Sequence, residues 1–239
     1  MTTVLEAKNV SMWFGGLQAL NDVSTSVKEH EIVGLIGPNG AGKTTLLNCI
    51  TGFYKPVQGC IFYKGEEITG LKPNQICKMG VAKTFQIIRA FKSLSVLDNV
   101  LIGALLRTNK IDEAQSIARE AIEKVRLQGK ENIIAGNLTP TDQRFLELAR
   151  ALSTRADVLL LDEIAAGLNP SEISELVETL KEINQGGLTL IIVEHVMQAI
   201  MPIAERIIVL HGGSKIAEGA PEEIKSNKKV IEAYLGEEE

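Results

Sequence analysis

The sequence predicts a mixed α/β fold in which a parallel sheet carries an inserted helical subdomain, and three observations point there. Short apolar runs of strand character stand at Glu31 to Ile36, Val158 to Leu161, Leu188 to Val193 and Ile207 to Leu210. Between the first of these and the rest, from about Leu94 to Leu152, the apolar residues shift to helical spacing. A glycine-rich segment directly after Ile36 joins a strand to a helix.

Each element follows from its own residues. Val4 to Val10 and Val23 to Val27 read as strands bounded by Gly, Asn and Asp, and one helix interrupts this β-rich first part. In the middle, Ile111, Ala114, Ile117, Ala118, Ala121, Ile122 and Val125 recur on one helical face with charges between them. The later strands alternate with helical stretches such as Ser171 to Ile183, which implies a parallel sheet. On this reading residues 1–93 and 155–239 form the core, residues 94–154 form the helical subdomain, and Glu237 to Glu239 is a solvated tail.

Composition narrows the function. With 239 residues, 45% of them hydrophobic, the chain can bury a sizeable core. Its longest apolar stretches fall far short of the roughly 18 residues of a spanning helix. No basic and then apolar leader opens it, so a cytoplasmic home is expected. Cys49, Cys60 and Cys77 lack metal or disulfide spacing and read as small core residues. A net charge of −5 disfavours nucleic acid as a partner.

Three motifs carry chemistry. Gly37-Pro38-Asn39-Gly40-Ala41-Gly42-Lys43-Thr44-Thr45 matches a phosphate loop in its required strand-to-helix context. Its backbone N–H groups and helix N-terminus suit phosphate oxygens, Lys43 supplies a cation from an exposed loop to the β- and γ-phosphates, and Thr44 is the natural Mg²⁺ ligand. Next, Val158 to Leu161 runs into Asp162 and Glu163. Strand alternation sends them opposite ways, so Asp162 reaches the Mg²⁺ shell and Glu163 the attacking water. Third, His195 follows the buried run ending at Val193, where it can contact a γ-phosphate; His30 and His211 read as surface residues.

With these motifs in order, the chain resembles the ATP-binding subunits of ABC transporters over essentially its whole length. The resemblance implies a P-loop NTPase core with a parallel sheet and an antiparallel β subdomain, plus the inserted helical subdomain. It further implies ATP and Mg²⁺ as ligands and head-to-tail dimerisation. Phe14 looks like the adenine-stacking aromatic, with Trp13 as the alternate. Gln86, in Thr84-Phe85-Gln86, is similar to the glutamine that touches Mg²⁺ and water and opens the segment facing the membrane subunits. Gly167-Leu168-Asn169-Pro170 resembles the loop that reaches across the dimer, and Asn169 equally reads as a helix cap.

Within that family the phrases Phe14 to Leu20, Thr84 to Gln86, Ser95 to Val100, Ala165 to Pro170 and Val230 to Gly236 resemble the branched-chain amino-acid importer ATPases. The same resemblance implies transmembrane permease subunits, a substrate-binding protein and a second ATP-binding subunit as partners, at the cytoplasmic face of the inner (plasma) membrane. Importers of another small polar solute share some of these phrases. One departure is large: Leu138-Thr139-Pro140-Thr141-Asp142-Gln143 stands where the family's signature has serine, small residues and glutamine. Thr139 can still cap a helix and bond phosphate, but Thr141 fills a glycine position and Pro140 lacks an N–H. That favours a heterodimer over a homodimer, and leaves a non-hydrolytic or weakly hydrolysing regulatory half as the competing reading. A second departure is Ile164, where proline is usual after the base. A soluble ABC ATPase of DNA repair or translation would show two cassettes or a coiled-coil insert, and neither is present.

Overall fold

A computed structural model describes residues 2–84 and 90–235. The chain opens with β1 (Thr3–Phe14) and β2 (Leu17–Lys28), an antiparallel hairpin turning at Gly15 and Gly16. Next come β3 (Ile32–Ile36), α1 (Lys43–Ile50), β4 (Gln58–Tyr63), β5 (Glu66–Glu67), α2 (Pro73–Met79) and β6 (Val81–Lys83). The central stretch is helical, with α3 (Val96–Ala104), α4 (Ile111–Lys124), a 3-10 turn at Ala135–Asn137, and α5 (Pro140–Ser153). The chain then alternates through β7 (Val158–Asp162), α6 (Pro170–Gln185), β8 (Thr189–Val193), α7 (Met197–Ile200), β9 (Arg206–His211), β10 (Ser214–Gly219), α8 (Pro221–Lys225) and α9 (Lys228–Leu235).

Two sheets result: an antiparallel one in the order β2-β1-β4-β5, and one in the order β10-β9-β3-β8-β7-β6. The second is parallel from β9 to β6, with β10 added antiparallel at the edge. The parallel strands β3, β7 and β8 are buried at every residue, so they read as unbroken apolar runs. Their alternation is hidden in the sequence and visible in the packing. Ile36, Leu159, Leu161, Leu190, Ile192, Ile207 and Val209 share one core cluster with buried residues of α3, α4, α5, α6 and α7. Val33, Leu35, Val158, Leu160, Ile191, Val193, Ile208 and Leu210 face α1 and the antiparallel sheet. Each such aliphatic side chain contributes about 1.5–3 kcal/mol by leaving water.

The helical face expected in the middle of the chain is α4, which buries Ala114, Ile117, Ala118, Ala121 and Ile122, with Val125 at its C-cap. Asp112 and Glu113 in its first turn and Lys124 in its last complement the helix dipole. All three cysteines are free; Cys49 is buried and the other two are half-buried. Among the described residues, no helix is long and apolar enough to cross a membrane.

Candidate active site

The carboxyl ends of β3, β7 and β8 lie side by side, and the chain leaves each strand there into one of the predicted motifs. After β3, the loop is wedged between two other backbones. Gly37 has φ 149°, and a Cβ on it would sit 2.1 Å from the Leu210 carbonyl oxygen. Gly42 has φ 99°, and a Cβ there would sit 2.5 Å from the Ala19 oxygen. Only glycine fits either place, which fixes the loop against β9 and the β1–β2 hairpin. Pro38 and Ala41 are buried, whereas Asn39 and Gly40 are exposed at the tip.

Lys43 opens α1, a helix with no acidic residue in its first turn, so its N-terminus keeps a positive field for an anion. The side chain is not on an exposed loop as the sequence suggested. It is 7% exposed, because Nζ folds back to donate to the carbonyls of Gly37 at 2.6 Å and Pro38 at 2.8 Å. Those bonds hold the ammonium over the loop whose N–H groups suit phosphate. Thr44 and Thr45 follow, both half-buried.

At the end of β7, Asp162 is 1% exposed and its Oδ2 lies 3.1 Å from Nζ of Lys83, which also donates to Asn48 Oδ1 at 2.8 Å. Its Oδ1 is buried without a hydrogen-bond partner among the described residues. An orphaned hard oxygen of this kind, at a strand end tied through Lys83 and Asn48 to the helix that carries the Thr44 hydroxyl, fits a divalent cation such as Mg²⁺. Strand alternation does not direct Glu163, because β7 stops at Asp162. Glu163 instead adopts φ 50° and donates its N–H to the Val193 carbonyl at 2.9 Å, and the left-handed turn leaves its side chain half exposed. Ile164, the residue in place of proline, is buried in the core.

After β8, His195 is exposed, and the residue before it, Glu194, has a role that no motif marks. Glu194 is fully buried, and its Oε1 accepts from the Ala165 N–H at 2.7 Å. Burial pushes its carboxyl above the ordinary range; the Ala165 bond and His195 oppose that shift, and the Glu163 charge adds to it. Glu194 therefore ties the loop behind Glu163 to the loop carrying His195. Its only sequence signal is a charge directly after an apolar run.

Around these loops the remaining residues fall as follows. Phe14 is exposed at the end of β1, edge-on to the Tyr54 ring at 5.1 Å, while its alternate Trp13 is half-buried. Gln86 lies outside the described residues. Thr139 caps α5, accepting from the Asp142 N–H at 3.1 Å, with Pro140 in the first turn. The Thr141 hydroxyl donates to Glu172, both Asp142 oxygens accept from Lys130, and Gln143 donates to the Leu138 carbonyl. Asn169 caps α6, so the cap reading holds.

A profile described as ABC transporter matches residues 20–166, and one described as branched-chain amino acid ATP-binding cassette transporter matches residues 214–239. The high-affinity branched-chain amino acid transport ATP-binding protein LivG of Salmonella typhimurium is 44% identical, over 98% of both chains. Two solved structures share the fold. The ADP conformation of an ATP-binding cassette of an ABC transporter has a TM-score of 0.90 at 29% identity, covering 99% of this chain and 100% of the other. A dimeric post-hydrolysis cassette bound to ADP and Pi has a TM-score of 0.82 at 26% identity, covering 91% and 98%.

Proposed function

The chain belongs to the ABC transporter ATP-binding family, as an ATP-hydrolysing subunit, and from that premise we propose that it powers import of branched-chain amino acids. What carries the ATPase reading is the gathering of the phosphate loop, the Asp162–Glu163 pair and His195 at the carboxyl ends of three adjacent parallel strands. The cargo reading is supported by the match at residues 214–239, which lies past the catalytic motifs, and by the 44% identity to LivG.

In this reading the Gly37–Thr45 loop and Lys43 bind the triphosphate, and Phe14 stacks on adenine. Thr44, Asp162 and Gln86 hold Mg²⁺, which when bound neutralises charge on the β- and γ-phosphates. Glu163 takes the proton of the attacking water or orients it, since its half-exposed carboxylate lies outside the strand and beside the loop edge. His195 donates to the γ-phosphate, and Glu194 fixes its loop relative to that of Glu163. The subunit works peripherally at the cytoplasmic face of the inner membrane with transmembrane permease subunits and a substrate-binding protein.

A heterodimer is favoured, because Thr141 fills a glycine position, Pro140 lacks an N–H, and the side chains of Thr141, Asp142 and Gln143 are bonded within this chain. A partner with an ordinary signature would close over this chain's ATP, and hydrolysis would proceed mostly at this chain's own phosphate loop. The test is purification of the intact complex from native membranes, identification of its subunits by mass spectrometry, and reconstitution into vesicles. ATP-driven uptake of labelled leucine, isoleucine and valine, without uptake of urea or short amides, is expected; the reverse preference overturns the cargo.

A further inference from the structure

Lys83 closes β6 with its side chain only 5% exposed, between Asp162 Oδ2 at 3.1 Å and Asn48 Oδ1 at 2.8 Å. Three elements therefore meet on one ammonium: β7 through Asp162, α1 through Asn48, and β6, which leads toward Gln86. Motif spacing had no place for this residue. A buried carboxylate needs a cation beside it in every state of the protein, because an uncompensated buried charge is strongly destabilising. When no metal is bound, Lys83 meets that need at Oδ2 and leaves Oδ1 open.

We propose that Lys83 is a positioning residue and resident counter-charge for Asp162, which makes divalent-metal binding conditional on nucleotide. The proposal rests on reading Asp162 as a metal ligand. Its logic is electrostatic. A bare divalent ion approaching Oδ1 meets a carboxylate whose charge is already balanced, and it is repelled by the ammonium on the other side. Mg²⁺ also gives up its water reluctantly, so a neutral ion pair offers it little. Several negative charges on an entering triphosphate reverse that balance. Lys83 meanwhile keeps Oδ2 engaged, so Asp162 presents a single oxygen in a fixed direction, and Asn48 anchors the same ammonium to the phosphate-loop helix.

The test is Mn²⁺ binding followed by electron paramagnetic resonance, with and without a non-hydrolysable ATP analogue. Wild-type protein should bind Mn²⁺ tightly only with nucleotide. Lys83→Met should bind Mn²⁺ without nucleotide at least ~10-fold more tightly, and Mg²⁺ alone should raise its melting temperature but not that of the wild type. Lys83→Gln keeps a donor for Asn48 or Asp162 while dropping the charge; it should behave like Lys83→Met even if the latter folds poorly. Lys83→Arg should restore wild-type behaviour. Tight Mn²⁺ binding by nucleotide-free wild type, or no gain in Lys83→Gln, overturns the role of Lys83. Asp162→Asn serves as the control: unchanged Mn²⁺ binding with nucleotide in that variant overturns the reading of Asp162 itself.

Discussion

The Thr141 hydroxyl donates to Glu172 Oε1 at 2.7 Å, joining the first turn of α5 to the first turn of α6 within one chain. Glu172 also accepts from the Asn169 N–H at 2.8 Å, so the residue at a signature glycine position is bonded to the loop that resembles the dimer-crossing segment. Replacing Pro140 and Thr141 with glycine should therefore have two opposite effects. ATPase of the isolated chain should rise by roughly 10- to 100-fold, since each recovered phosphate-directed hydrogen bond is worth about 1.5–3 kcal/mol. Thermal stability should fall, since glycine costs a helix about 1 kcal/mol. Phosphate release and melting temperature measure the two. No gain, together with robust turnover of the unmodified chain alone, would overturn the heterodimer with hydrolysis mostly at this chain's phosphate loop.

Glu163→Gln in the assembled transporter should preserve ATP binding and slow hydrolysis by roughly 100-fold or more, because the amide keeps the shape and loses the basic oxygen. The left-handed backbone at Glu163 is unaffected by this change, so the melting temperature should stay within about 1 °C of wild type. Near-normal turnover in the variant would take Glu163 out of the chemistry.

For Lys43→Ala the structure modifies the expectation drawn from the motif alone. Nucleotide affinity should drop by at least ~100-fold through loss of the cation facing the triphosphate. Stability should drop as well, by about 1 kcal/mol, because the two bonds to Gly37 and Pro38 go with it. Calorimetry of ATP-analogue binding and urea unfolding separate the two effects; unchanged affinity would contradict the phosphate-loop assignment.

Glu31 and Arg206 provide an acid-sensitive lock between sheets. Arg206 reaches Glu31 through Nε at 2.9 Å and a second nitrogen at 3.1 Å, and also donates to the Ser26 carbonyl of β2. Burial raises the Glu31 carboxyl, but the Arg206 bonds, the Lys28 N–H and the neighbouring positive charges outweigh it, and the net direction is down. A depressed folded value means that the stabilisation is present above the unfolded value, about 4.3, and is lost as pH falls through the folded one. Glu31→Gln should cost about 2 kcal/mol near neutrality, and its difference from wild type should shrink in acid. A pH-independent difference in urea unfolding would count against this pair.

How far the fold was legible depends on burial. β3, β7, β8 and β9 stood out because strands covered on both faces are unbroken apolar runs, and the motifs at their ends came with them. β4, β5 and β10 did not, because exposed or half-exposed residues such as Gln58, Glu66 and Lys215 owe their extended form to a neighbouring strand. Lys83 and Glu194 were invisible for a different reason. A charge within an apolar stretch acquires meaning only when the fold brings Asp162 or Ala165 against it. The turn at Glu163 was misread for the same reason, since the strand pattern gives no sign of where alternation stops.

The buried carboxyl of Glu194 is pushed up first by desolvation, partly offset by the Ala165 N–H, His195 and the Val196 N–H, and reinforced by Glu163. A folded value above the unfolded one means the folded state binds the proton more tightly. Its stabilising contribution is therefore complete below the unfolded value and is lost as pH rises through the folded one. Glu194→Gln keeps an acceptor for Ala165 and cannot ionise, so it should gain on wild type as pH rises from the ordinary glutamate value, about 4.3, through the raised folded one. Glu194→Ala instead leaves the buried Ala165 N–H without a partner and should lose about 1–3 kcal/mol throughout. Urea unfolding across that range distinguishes them. If the Gln variant shows the same pH slope as wild type, Glu194 is not the titrating group; if Glu194→Ala is as stable as wild type, the link between the Glu163 and His195 loops is held by other bonds.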